Sequence, residues 1–249
     1  MRYVVSDIHG CYDEFKELLA LIHFSENDEM YILGDMVDRG PKPIALLKDL
    51  MGRYNIYPVL GNHDYMALKI LKKMNVLITE ENAEHHLTQE DMTGYLYWIQ
   101  DGGDMTAKQF SKLDEWDKEE ILDYLSEAVL YEQVGVGEKL YILVHAGLEH
   151  FEEGKPLSEY NLSDLIFSSP DYEKRLFSDE NIYLVTGHRP TLSIPGHEKT
   201  EIYRKNGHIA IDCGCVFGGR LAAFCLETEE EFYVDCKTDS KRYSGSDEE

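Results

Sequence analysis

The chain has 249 residues, 43% of them hydrophobic, which is enough for one large domain with a buried core. Against 24 Lys and Arg stand 48 Asp and Glu, and the formal charge of −24 excludes a nonspecific binder of nucleic-acid backbones or anionic membranes. An anionic substrate must therefore meet local cations, either metal ions or a few arginines set among the acids.

Residues 2–6, in the opening MRYVVSD, read as a first strand that leaves no room for a signal peptide. Residues 14–22 follow as a helix, with Phe15, Leu18, Leu19 and Ile22 on one face and Asp13 as its N-cap. A second strand at 30–33 leads to a helix at 43–51, where Pro41 and Pro43 suit a helix start. A third strand at 56–60 leads to a helix through Ala67, Ile70, Leu71 and Met74. This β-α-β-α-β order predicts a largely parallel sheet covered by helices. From about 76 to 133 polar, acidic helical segments dominate, one of them at 119–130, and predict a helical insertion. Strands resume at 139–144, 181–186, 208–212, 221–226 and 231–234, the last few spaced as an antiparallel meander. The expected organisation is one domain over 1–238 and a polar tail over 239–249.

The five cysteines form no CxxC pair, and an odd number of them fits reduced thiols in the cytoplasm. Cys213-Gly-Cys215 reads as adjacent packing residues rather than a metal pair. No apolar run approaches the roughly 20 residues that span a bilayer.

Polar clusters sit at the ends of five predicted strands: Asp7-Ile8-His9, Gly34-Asp35 with Asp38-Arg39-Gly40, Gly61-Asn62-His63-Asp64, His145-Ala146-Gly147, and Gly187-His188-Arg189. Each alone is an ordinary turn or cap. In a parallel sheet, however, the carboxyl ends of the strands share one edge, where ligands bind. Three histidines, two aspartates and an asparagine on one edge would crowd dehydrated carboxylates together unless cations lay between them. Oxygen and imidazole donors without thiolate point to Mn, Fe, Zn or Co. Six ligands exceed the needs of a four-coordinate ion but serve two divalent ions with a shared carboxylate, a pair suited to phosphoryl chemistry.

In order, spacing and strand context these motifs resemble the phosphoprotein phosphatase family of calcineurin-like metallophosphoesterases, the bacterial and phage branch most of all, over residues 1 to about 225. The resemblance implies an α/β fold with a central sandwich of mixed sheets flanked by helices. It implies two divalent ions, manganese first, one held by Asp7, His9 and Asp35 and the other by Asp35, Asn62, His145 and His188. His63 resembles the general acid held by Asp38, and Arg39 the phosphate-binding arginine. The implied chemistry is direct attack of a metal-bridging hydroxide on phosphorus, without a phosphoenzyme.

Two departures stand out. The second phosphate-binding arginine common between the two late histidines is missing from the Leu165–Pro170 stretch, leaving Arg175, Arg189 or Arg220 as substitutes, and Arg189 stands where threonine is common. Tyr97 and Trp98 suit either a substrate groove or the packing of the insertion.

The leading expectation is a phosphomonoesterase acting on phosphoserine or phosphothreonine, or on a broad range of phosphorylated proteins, peptides and small esters. The alternative is a dinucleoside polyphosphate hydrolase, whose symmetrically cleaving bacterial type usually lacks the aspartate found here at position 38. A third reading is a noncatalytic metal-bearing scaffold.

Overall fold

The structure, a computed structural model, describes residues 1–76 and 88–237. Among these residues, ten strands form two five-stranded sheets. The first sheet contains β1 (Arg2–Val5), β2 (Glu29–Leu33), β3 (Ile56–Val59), β9 (Arg220–Cys225) and β10 (Glu231–Asp235), in the order β10-β9-β1-β2-β3. The second contains β4 (Tyr131–Val136), β5 (Lys139–Val144), β6 (Ile182–Thr186), β7 (Tyr203–Lys205) and β8 (His208–Ala210), in the order β4-β5-β6-β8-β7. Both are mixed: β1, β2 and β3 run parallel with β9 antiparallel beside them, and β5, β6 and β8 run parallel between two antiparallel edges.

Side chains alternate across a strand, so each apolar run supplies two cores. Val4, Leu33, Val59 and Phe224 meet Tyr141, Leu143 and Val185 between the sheets. Tyr3, Val5, Met30 and Ile32 face the other way, against α1 (Tyr12–Leu21), α2 (Pro43–Met51) and the helices of the insertion. Ile142, Val144 and Leu184 form a third cluster with Leu148 and with Leu165 and Ile166 of the short helix α7 (Leu162–Ile166). The result is a β-sandwich flanked by helices on both outer faces. Truncating a fully buried inter-sheet side chain such as Phe224 to alanine costs about 3–5 kcal/mol.

Between α3 (Asn62–Met74) and β4 lie α4 (Gln89–Trp98), α5 (Asp104–Phe110) and α6 (Glu115–Glu127), the helical insertion. Residues 77–87 of this stretch and the expected tail at 239–249 lie outside the described residues.

The structure corrects several local expectations. The helix expected over 119–130 starts earlier, capped by Asp114, and ends at Glu127. β4 follows at Tyr131; its mixed YEQVGV pattern exposes most of an edge strand and so resembles the acidic helices before it. Helix α1 starts behind Cys11, with no side-chain cap, and Asp13 lies in the first turn beside Lys16 and Lys42. The late strands form no continuous meander: β9 and β10 make a hairpin in the first sheet, while β8 lies in the other sheet, parallel to β6 and antiparallel to β7.

Candidate active site

The polar clusters come from two sheets, not one edge of a single sheet. The turns after β1 and β2 carry Asp7 and His9, then Asp35, Asp38 and Arg39, and the start of α3 behind β3 carries Asn62, His63 and Asp64; the turns after β5 and β6 carry His145 and His188. Backbone bonds tie the turns together, Asp7 N–H to Gly34 O at 3.1 Å, His9 N–H to Asp35 O at 2.8 Å and Gly187 N–H to His145 O at 2.8 Å. The glycine at 61 is required by proximity, since a Cβ there would fall 2.2 Å from the Asp35 nitrogen. Asp64 acts as a clasp, accepting the N–H groups of Met36, Val37 and Gly61, and thereby fixes the start of α3 against the β2 turn. Its carboxyl is pushed up to about 7 by burial and by the Asp35 charge, against the pull of those N–H groups.

Two groups of metal-capable side chains share one residue. His9, Asp35 and His63 form the first group, and Asp35, His145 and His188 the second, with ligand atoms within 4.8 Å of one another in each. Asp35 turns Oδ2 toward His9 Nε2 and Oδ1 toward His145 Nε2, both at 3.5 Å. Asn62 Oδ1 lies 2.9 Å from both His145 Nε2 and His188 Nδ1. Asp7 is buried at the same centre, its Oδ2 accepting the His188 N–H, but it belongs to neither group.

The hydrogen bonds decide what these atoms can hold. His145 donates its Nδ1–H to Leu33 O at 2.6 Å, and His9 donates its Nδ1–H to Val37 O at 2.8 Å. Burial is the first cause that lowers the basicity of both rings, so each is neutral and Nε2 carries a lone pair. Lone pairs of His145 Nε2 and Asn62 Oδ1 thus face each other at 2.9 Å, with the Asp35 carboxylate beyond. Facing acceptors repel, and a cation between them removes the repulsion. His188 is lowered to about 3, by burial first and then by its neighbour His145. Burial opposes ionisation of Asp35, but His145, His63, His9 and Arg39 outweigh it and hold its carboxyl well below the usual range; the His63 backbone N–H, in the first turn of α3, adds a bond at 2.9 Å. Asp7 is raised by burial, then by the charges of Asp212 and Asp35, while Asp212 is pushed up to about 7 by burial. Three buried carboxylates and three neutral imidazoles fit divalent cations in both chemistry and charge.

His63 is 1% exposed and sends Nδ1–H to Asp38 Oδ2 at 2.9 Å. Burial lowers its basicity, but the Asp35 charge and the Asp38 bond more than offset this, and the ring is raised above its ordinary value. Trp98 Nε1 donates to the same Asp38 oxygen and Thr106 Oγ1 to the other, both at 2.7 Å. Burial raises the Asp38 carboxyl, and the three donors pull it back toward the ionised form. Of the two readings for Trp98 the structure selects the interior, since its indole is fully buried behind the His63–Asp38 pair; Tyr97 is exposed. Arg39 Nη1 donates to His9 Nε2 at 2.9 Å and Nη2 to Asp101 Oδ1 at 3.1 Å.

Trp98, Thr106, Asp101 and Asp212 belong to this centre, although none of the five strand-end motifs contains them. For the first three the only sequence signal is the Trp-x-x-Asp-Gly-Gly-x-x-Thr run inside the insertion. Among the substitutes for the missing arginine, Arg175 binds the carbonyls of Phe177 and Asp179, and Arg220 binds Thr200 O and Glu201. Arg189 is exposed beside His188 and forms no ion pair with a described residue. Cys213 and Cys215 are buried and contribute to neither metal-capable group.

A sandwich of mixed sheets that brings two donor groups around one shared carboxylate defines a binuclear metal-dependent phosphoric ester hydrolase. The chain belongs to the calcineurin-like phosphoesterase family, whose model matches residues 2–223. Curated relatives include the symmetrical bis(5'-nucleosyl)-tetraphosphatases of Acidovorax sp. (strain JS42), 29% identical with 94% of this chain and 96% of that one covered, and of Nitrosococcus oceani, 28% identical with 96% and 98% covered. Among solved structures, a candidate diadenosine tetraphosphatase superposes with a TM-score of 0.65 at 19% identity, covering 96% of this chain and 94% of that one. A cold-active protein-tyrosine phosphatase from a psychrophilic Shewanella species gives a TM-score of 0.53 at 15% identity, over 95% and 80% of the two chains. At these identities the structural likeness speaks for the fold alone. Among the described residues no helix is long and apolar enough to cross a membrane.

Proposed function

We propose that the chain hydrolyses the phosphate bridge of a dinucleoside polyphosphate, the tetraphosphate class for which its curated relatives are named. The observation that carries this reading over the expected protein phosphatase is that those relatives match along nearly the whole of both chains. A groove of about 250 Å³ between α3 and α4 suits this reading: Tyr65, Tyr95 and Tyr97 line it, with Lys69 and with Lys73, which is paired to Asp91.

In this reading Asp7, His9 and Asp35 hold one divalent ion, and Asp35, Asn62, His145 and His188 the other. Manganese is the first choice, ahead of iron, zinc or cobalt. When bound, such a pair polarises phosphoryl oxygens and activates water. Arg39 grips the phosphoryl group, and Arg189, free at the rim, supplies a second positive charge. His63, with Nδ1–H committed to Asp38, gives its Nε2 proton to the leaving group. Residues 1–238 act as one domain, and the enzyme works in the cytoplasm.

The His63–Asp38 pair favours a second reading, a phosphomonoesterase acting on phosphoserine or phosphothreonine. A nucleotide departs as a stable phosphate anion, whereas a serine or threonine alkoxide needs a proton. The deciding experiment gives the metal-loaded enzyme diadenosine tetraphosphate or phosphoserine, phosphothreonine and phosphotyrosine peptides, with products resolved by chromatography. The first reading predicts kcat/KM at least about tenfold higher on the dinucleotide, with ADP as the product of symmetrical cleavage. Faster peptide turnover would install the second reading, and no turnover of any ester would refute both.

A further inference from the structure

Asp101 lies in the wide helical turn Ile99–Gly103, between α4 and α5. The turn is built around Arg39: Gly102 sits at φ +102 with its carbonyl accepting the Arg39 N–H at 2.8 Å, and a Cβ on Gly102 would fall 2.6 Å from Arg39 Cγ. The result places a carboxylate between the two groups that the proposed function assigns to the phosphate. Asp101 Oδ1 takes the Arg39 Nη2–H at 3.1 Å, and Oδ2 lies 3.5 Å from His63 Nε2. The Phe217 ring, 5.2 Å from the guanidinium, closes another side of Arg39.

A carboxylate offers a guanidinium the same pair of anionic oxygens that a phosphoryl group does. Resting on the reading of Arg39 and His63 as the phosphate and leaving-group residues, we propose that Asp101 is a specificity-determining place-holder. Its Oδ1 occupies the position of a phosphoryl oxygen on Arg39 and its Oδ2 that of the leaving-group oxygen before His63, and a substrate must displace it. One oxygen bonds Arg39 while the other faces His63 Nε2 at 3.5 Å, which a brace for Arg39 alone would not require. A third of the Asp101 side chain is exposed, 33% by area, so the carboxylate can swing into solvent when displaced. The displacement selects for charge: an ester that brings more negative charge to Arg39 expels Asp101 more readily, and in a chain of net charge −24 this local exchange spares Arg39 from remaining unpaired between turnovers.

The test uses the metal-loaded enzyme with Asp101→Asn, Asp101→Ala and Arg39→Ala. Its readouts are the inhibition constant for inorganic phosphate and KM for p-nitrophenyl phosphate. Asparagine keeps an oxygen for Arg39 but removes the charge, so D101N should lower both constants together, on the order of tenfold. D101A should lower them as well. If Asp101 merely braces Arg39, both constants rise in D101A and hold in D101N, and the inference is overturned. R39A separates the two levels: if it leaves phosphate inhibition unchanged, the reading of Arg39 falls and this inference with it. If R39A weakens inhibition while D101N leaves it unaltered, the place-holder role alone is rejected.

Discussion

Trp98 Nε1 and His63 Nδ1 donate to the same oxygen of Asp38, at 2.7 and 2.9 Å. The insertion thus reaches under the strand-end motifs and fixes the carboxylate that orients the proposed acid. Thr106 completes the arrangement from α5, and all four side chains are buried.

Trp98→Phe removes one donor from a buried carboxylate while keeping most of the ring. The loss should cost about 1–3 kcal/mol of stability, read from denaturant unfolding of the metal-loaded protein. It should also lower kcat on an alkyl phosphate more than on p-nitrophenyl phosphate. Equal stability and equal kcat on both esters would show that the indole only fills space.

Replacing His63 with asparagine should cut turnover of an alkyl phosphate roughly 10²–10⁴-fold with metal content retained. The loss should shrink as the leaving group improves, and be small for a nucleotide. A uniform loss across leaving groups would remove His63 from proton donation.

In the proposed role the protonated ring is the active form of His63, and the Asp35 charge and Asp38 bond raise it against the lowering effect of burial. Rate is therefore present at pH below the raised value and lost as pH climbs through it. In Asp38→Asn one raising group is gone, so the alkaline limb of the kcat profile should move to lower pH. An unmoved limb would assign that titration to another group.

Chelation should abolish turnover and lower Tm, because ions that bind only the folded chain stabilise it by about 2.7 kcal/mol at a hundred times their dissociation constant. Readdition of manganese should restore both. A protein with the same Tm before and after chelation would have no ion bound among these residues.

The strand-end motifs are legible because apolar runs stop at the positions where the polar residues begin, as in Val4-Val5-Ser6-Asp7 and Ile32-Leu33-Gly34-Asp35. The division into two sheets is not legible in the same way. Strands buried on both faces read as continuous apolar runs whichever sheet they join, and Val4 and Val5 enter different cores. Edge strands such as β7, only three residues long, carry too little pattern to register. Trp98 and Thr106 are hidden because helical spacing accounts for them as packing. Backbone strain is hidden too: among the described residues ten that are not glycine have positive φ, and Asp7, His9, Asp35, Asp38, Arg39 and His188 are among them. Such conformations persist where surrounding bonds over-determine them, as the backbone ties between these turns do.

The most direct test of the shared role of Asp35 is metal content per chain, measured by inductively coupled plasma mass spectrometry after manganese loading and gel filtration, for the wild type and for Asp35→Asn. A shared Asp35 predicts about two ions in the wild type and loss of both in the variant. A wild type that holds one ion, or a variant that keeps two, would contradict it.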